Sequence, residues 1–315
     1  MKESIMTNMK KLGLTALAGS LVATSGFAGA LDVSGTAKIT YVSQDETEVT
    51  GNPYSMNQGI GFSGSGDLDN GMTINYGYTM SDAAFSSSTL KLDMGDMGTL
   101  SYSDGAGTTG ISAYDDKMPT AGEEVWDDLD GEANGIATIT NKGTLGYSGS
   151  FGGMGISASY NNTDGADKTT TAGSSKSVVV SGDVAGASIF LGIGDKSGTT
   201  DNNGTDLMVM GATYTSGPVT LGLQTTEIDA SAVGSDRDRL AAAISFAVNE
   251  NTSISYGMST VEFEGNSTDQ EDSGVALSHT MGSMTVAAFH NTSENVSGTS
   301  GTDDSVTEIS LAFAF

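Results

Sequence analysis

The chain has 315 residues, no cysteine, two histidines and 39 acidic against 12 basic side chains, a formal net charge of −27. Without cysteine there is no disulfide framework and no Cys-based zinc or redox site, and so large an acidic excess repels the phosphates of nucleic acid. Hydrophobic residues are only 37%, below the share of ordinary globular domains, yet a sustained two-residue alternation argues against a disordered chain.

The N-terminus reads as an export signal. Lys2, Lys10 and Lys11 supply positive charge, Leu12 to Phe27 is mostly apolar, and Ala28-Gly29-Ala30 fits the small-x-small cleavage pattern. Cleavage after Ala30 leaves 31–315 as the mature chain. A retained anchor is the alternative, disfavoured because Gly, Ser and Thr interrupt the apolar run. Beyond Ala30 nothing approaches the roughly 18 consecutive apolar residues of a membrane helix. Leu240 to Val248 is the longest apolar run, and it is strand-sized.

From Asp32 to Phe315 the chain repeats one unit: about ten residues with apolar side chains at every second position, then a turn. Counting turns gives sixteen strands, at about 32–44, 55–67, 71–80, 88–95, 97–104, 143–151, 154–162, 175–184, 186–195, 206–216, 218–228, 237–248, 252–262, 271–281, 283–292 and 305–315. Short turns at Asp69-Asn70-Gly71, Met94-Gly95-Asp96, Gly152-Gly153, Val184-Ala185-Gly186, Ser216-Gly217-Pro218, Asn249-Glu250-Asn251 and Gly282 alternate with longer acidic Gly/Ser/Thr/Asn loops. Strands of about 9–11 residues cross a bilayer when tilted. An even strand count, tight turns on one edge and long loops on the other describe an all-β transmembrane antiparallel barrel.

Phase assigns the faces. In the last strand Ile309, Leu311, Phe313 and Phe315 share one side, while Glu308, Ser310, Ala312 and Ala314 share the other. Ile74, Tyr76 and Tyr78 repeat the pattern, as do Leu145, Tyr147 and Phe151, and Val219, Leu221 and Leu223. The apolar row suits lipid and the small or polar row suits a water-filled lumen. A soluble β-sandwich also alternates, but its connections would be of mixed length on both edges.

One stretch breaks the rhythm. Residues 105–142 are too long for an ordinary connection, and such loops are usually functional. They carry Asp115, Asp116, Glu123, Glu124, Asp127, Asp128, Asp130 and Glu132 against Lys117 and Lys142, together with the sole tryptophan, Trp126. A solvated loop is the plain reading. The sharper one is a loop folded into the barrel, where its carboxylates narrow a lumen otherwise wide enough for an aqueous channel. Phase turns Lys38, Lys91, Arg237 and Arg239 inward, so these cations would face the acidic loop and set a transverse field. Arg237 could equally sit on a strand end above the membrane. Acidic rings favour cations, and clustered carboxylates offer hard oxygen ligands for loosely held Ca²⁺. Asp67-Leu68-Asp69-Asn70-Gly71 only imitates the start of a Ca²⁺ loop and reads as a tight turn.

No catalytic motif stands in a strand–turn–helix context. His279 and His290 read as ordinary wall residues, and an enzyme is not expected.

Leu90 to Ala106, LKLDMGDMGTLSYSDGA, is similar to the strand–turn–strand that leads into the constriction loop of Gram-negative general porins of the alphaproteobacterial, Rhodobacter-like kind. The ending Ser310-Leu311-Ala312-Phe313-Ala314-Phe315 resembles the signature by which the assembly machinery reads outer-membrane barrels for insertion. The resemblance implies a sixteen-stranded homotrimer in outer-membrane lipid, with one pore per protomer and the third loop, here 105–142, inside. It further implies a basic wall at Lys38 and Lys91, with Arg239, opposite acidic Asp115, Asp116, Glu123, Glu124, Asp127 and Asp128. Such porins commonly show a dense arginine cluster on that wall. This chain has two arginines in all, Arg237 and Arg239, so a weaker field and a stronger cation preference are expected.

The expected function is passive diffusion of small hydrophilic solutes, without a cofactor. A substrate-specific channel would need an inward ladder of aromatic or binding side chains, and few aromatics fall in that phase. A Ca²⁺-binding adhesive surface protein is the alternative from another class, though no GGxGxD-type repeat is visible.

Overall fold

In the computed structural model the described residues are 31–45, 51–139, 142–162, 173–197 and 204–315. The expected signal segment, residues 1–30, lies outside them. Sixteen antiparallel strands close into one barrel: β1 (Leu31–Gln44), β2 (Tyr54–Asp67), β3 (Thr73–Ser81), β4 (Ala84–Asp93), β5 (Thr99–Asp104), β6 (Thr144–Phe151), β7 (Met154–Asn161), β8 (Ser175–Val184), β9 (Ala187–Lys196), β10 (Thr205–Ser216), β11 (Val219–Ala230), β12 (Arg237–Asn249), β13 (Thr252–Phe263), β14 (Gln270–Met281), β15 (Met284–Glu294) and β16 (Asp304–Ala314). Each strand pairs with its chain neighbours, and β16 returns to β1 with Lys38 opposite Ala312 and Tyr41 opposite Ile309. Closure leaves no unpaired edge. Among the described residues no helix is long and apolar enough to cross a membrane.

The alternation resolves as expected. Ile309 and Phe315 are exposed on the outside, whereas Glu308 and Ser310 are buried within. The same holds round the wall, where Ile74, Tyr76, Leu90, Leu145, Leu221, Leu223 and Ile244 all stand outward. A barrel displaying this much apolar surface suits a hydrocarbon surround. His279 and His290 are strand residues, hydrogen-bonded to Thr252 and Thr307 at 2.8 Å each. The segment that imitates a Ca²⁺ loop is a turn: the Gly71 amide donates to Leu68 O at 2.9 Å, with Gly71 at φ 82°.

One connection differs from expectation. A loop was expected from Ser81 to about Ser87, but β4 begins at Ala84. Asp82 and Ala83 form a two-residue turn with φ of 48° and 68°, the left-handed pair that matches hairpin twist. Asp82 Oδ1 accepts from the Gln58 amide at 3.0 Å, an anchor to the neighbouring strand that the Ser-rich composition hides. The strict alternation of short and long connections therefore fails at this point of the long-loop edge.

Candidate functional site

The inner row differs between two parts of the wall. On β2–β7 it is small and polar: Ser55, Asn57, Ser63, Asn75, Ser101, Ser157 and Ser159. On β8–β16 it includes Val179, Phe190, Leu207, Val209, Ala241, Val261, Ala276, Phe289 and Val306, all buried. Apolar side chains on a water-facing row need a cover, and residues 105–139 supply it. Ile111, Ala137 and Ile139 pack on Val179, Phe190, Leu207 and Val209. Met118 and Trp126 pack on Ala241, and Leu129 on Ala276, Phe289 and Val306. Burial of such side chains is worth about 1.5–3 kcal/mol each.

Polar contacts fix the register of this segment. The amides of Gly110 and Ile111 donate to Ser157 and Ser177 Oγ, both at 2.8 Å. Gln224 accepts from the Lys117 amide at 3.0 Å and donates to Asp115 O at 2.7 Å. Ser255 Oγ accepts from the Ala121 amide at 2.9 Å. Asn291 Nδ2 donates to Glu124 O and Asp127 O at 2.8 and 3.2 Å. Asp304 Oδ2 accepts from the Asp130 amide at 2.7 Å, and Asn134 donates to Gln270 at 3.0 Å. Glycines permit the close approach: a Cβ on Gly222 would overlap Pro119, and one on Gly257 would stand 2.7 Å from Val125 Cγ1. The segment thus runs along the wall from β7 to β16 and back to β8.

A gap remains beside it. A cavity of about 490 Å³ lies between Glu123, Asp127, Asp128 and Glu132 of the segment, Glu308 of β16, and Lys38, Thr40, Ser55 and Asn57 of β1 and β2. Lys38 Nζ pairs with Glu308 at 2.7 Å and Glu123 at 3.6 Å. Burial raises the Glu123 carboxyl above its ordinary value against the pull of Lys38. Burial, with Glu308 and Asp127 nearby, does the same to Asp128. Asp128 holds φ 59°.

The expected acidic set therefore divides. Glu123, Asp127 and Asp128 line the gap, whereas Asp115, Asp116 and Glu124 are not among its walls. Burial, then neighbouring Asp116, pushes the Asp115 carboxyl up to about 6. Glu124 is raised far above the usual range by burial and by hydrogen bonds to Asp127 and Asp116, so it holds a proton at neutral pH.

The basic set divides too. Lys38 faces the gap. Lys91, half-buried on β4, makes no ion pair among the described residues. Arg239 is 4% exposed and lies behind the segment, its guanidinium 3.5 Å from the Trp126 ring centroid. Arg237 opens β12 and stands 5.6 Å from the Phe263 ring. Glu132, one of the loop carboxylates read from sequence, joins the site, and so does Glu308, which was read only as an inward wall residue. For Glu308 the signal was present, a carboxylate in the inward phase opposite Lys38's strand. Three carboxylates, Glu123, Glu124 and Asp127, bring oxygens within 4.8 Å of one another.

Comparison with known proteins agrees with this architecture. The family model for Gram-negative porins matches residues 13–304. A porin structure refined at 1.8 Å superposes with a TM-score of 0.69 at 15% identity, covering 91% of this chain and 100% of its own. Salmonella typhi OmpF in complex with daunomycin gives a TM-score of 0.69 at 15% identity, covering 91% and 98%. A triple mutant of the Rhodopseudomonas blastica porin gives 0.62 at 13% identity, covering 91% and 100%. No curated protein matches the sequence.

Proposed function

We propose a sieving point for this chain, which belongs to the Gram-negative porin family and forms a non-enzymatic, passive diffusion channel in the bacterial outer membrane. Small hydrophilic solutes and ions pass between the 105–142 segment and the wall of β1, β2 and β16. The observation that carries this reading is the charge of the gap: five carboxylates, Glu123, Asp127, Asp128, Glu132 and Glu308, against one Lys38. Rings of one sign select by sign, so cations are preferred. The concentration gradient drives passage. Reversal potential of the reconstituted protein across a KCl gradient tests the preference, and a potential of anion-selective sign sinks it.

The transverse field is narrower than a facing wall of four cations would make it, because Arg239 stands behind the segment. Ca²⁺ drawn to the gap would meet the hard oxygens of Glu123 and Asp127, with Glu124 adding a third only on giving up its proton, and that chemistry supports the expectation.

Assembly as a homotrimer is supported by the outer face. Near the long-loop edge, β9–β15 carry outward Asp195, Asp206, Glu227, Asp229, Asp238, Glu262, Glu271 and Glu294, which would repel a second copy. The same height on β1–β7 carries exposed Tyr41, Tyr54, Phe85, Tyr102, Leu145 and Tyr160. Copies meet on the aromatic, less acidic side, lipid covers the rest, and the terminal strand with Phe313 and Phe315 is what the assembly machinery reads. Conductance should rise in groups of three steps; single unlinked steps count against the trimer.

A further inference from the structure

The guanidinium of Arg239 faces no open passage. It rests on the Trp126 ring, and Nε donates to Ser259 Oγ at 2.8 Å. Nη2 is buried with no hydrogen-bond partner. The stem of the side chain, in turn, runs against Gly135, at φ 72°, where even a methyl group would come within 2.8 Å of Arg239 Cβ and 3.2 Å of Cδ. The carboxylates acting on it are Asp272 of β14 and Asp116 and Asp127 of the segment, with Glu124 beside them. Asp272 is itself held by Gln270 and Ser293 at 2.9 and 2.8 Å. Burying a cation costs several kcal/mol unless it is paired. The wall supplies Asp272, whose pull is the largest of these, and Ser259; the segment supplies the stacked ring, Asp116 and Asp127. A cation–π contact gains strength when shielded from water. The barrel wall thus carries a charge whose stacking partner is present only while the segment lies against it.

We propose that Arg239 is a positioning residue: a clamp that closes on Trp126 and Gly135, seats residues 124–135 on β12–β15, and thereby holds Glu123, Asp127 and Asp128 across from Lys38. The clamp sets both the width of the gap and the side from which its carboxylates act. It rests on the reading of the segment as the sieving point. The flat guanidinium is essential, because it stacks on the Trp126 ring as an ammonium cannot, while the stem lies against Gly135.

Trp126 is the only tryptophan, so its fluorescence reports the clamp without labelling. In Arg239→Met, which keeps the apolar stem, acrylamide quenching of Trp126 should rise by about twofold or more as the segment loosens. Single-channel conductance should increase and cation preference fall. Arg239→Lys should recover less than half of either change, and Trp126→Phe should keep near-native conductance where Trp126→Leu does not. Heat-modifiable migration on gels verifies that each barrel is folded. Unchanged quenching and conductance in folded Arg239→Met overturn the clamp. So does a freed Trp126 with native conductance and reversal potential. If an Asp127→Asn/Asp128→Asn variant is also silent, the sieving reading falls as well; if that variant shifts the reversal potential, only the clamp is lost.

Discussion

Replacing Asp127 and Asp128 together by asparagine removes charge from the gap while preserving its shape. Both residues line it. Asparagine keeps an acceptor oxygen for the Glu124 amide, which donates to Asp127 Oδ2 at 3.0 Å. It also tolerates the left-handed backbone at Asp128, φ 59°, which alanine does not. A unit charge about 6 Å from a passing ion in water is worth about 0.7 kcal/mol. Screening at 0.1 M salt reduces that to about 0.4 kcal/mol. Two charges then favour a cation by about 0.8 kcal/mol, roughly fourfold, and disfavour an anion by as much. The cation-to-anion permeability ratio should therefore fall by roughly tenfold or more. Planar-bilayer reversal potential across a KCl gradient measures the ratio, and the difference should shrink at 1 M salt. An unchanged reversal potential at native conductance would place both side chains away from the narrowest point and refute the electrostatic argument.

Lys38→Met should move selectivity the opposite way, toward stronger cation preference, since it deletes the one cation of the gap. It also leaves Glu308, 5% exposed, without its 2.7 Å partner, so the rim of β1 and β16 should lose protection in hydrogen exchange; unchanged selectivity would count against Lys38 as a lumen charge. Acidification should erode cation preference early. Glu123 and Asp128 have raised pKa values, so each loses its charge at a higher pH than an ordinary carboxylate as pH falls, with Lys38 and Glu308 facing them. A permeability ratio that holds constant until ordinary carboxylates titrate contradicts that ordering. Glu124 acts on docking instead: the folded chain keeps a proton there that the unfolded chain releases above the ordinary value of 4.5. Segment stability should therefore decline as pH climbs above that value toward the raised pKa, and Glu124→Gln should flatten the pH dependence of Trp126 quenching.

The wall was legible in the sequence because a period of two is a property of the strand itself. Side chains two apart must share a face whatever the rest of the chain does, so Ile309 and Glu308 could be assigned to opposite sides without coordinates. The Asp82–Ala83 turn was not legible, because Ser86, Ser87 and Ser88 look like loop residues until a hydrogen bond from Gln58 pins the strand. The site was half legible. Phase tells that Lys38 and Arg239 point inward, but not whether each meets water or another part of the chain.

A signal for that distinction did exist. Val179, Phe190, Leu207, Val209, Phe289 and Val306 stand in the inward phase, where a water-filled barrel should carry polar or small residues. These departures occur on β8–β16, the footprint where the segment docks, and they spare β2–β7. An inward cation among such departures, as Arg239 is, meets protein; one outside them, as Lys38 is, meets the passage. Fold-back of the segment also divides its charge. Asp116 answers Arg239, while Glu123 and Asp128 answer the gap. The eight outward carboxylates of β9–β15 act on the far side of the wall, separated from permeating ions by protein. A formal charge of −27 is therefore a poor measure of selectivity. On the proposed reading the sign follows from the five carboxylates and one lysine of the gap, and its strength from how firmly the clamp at Trp126 keeps them there.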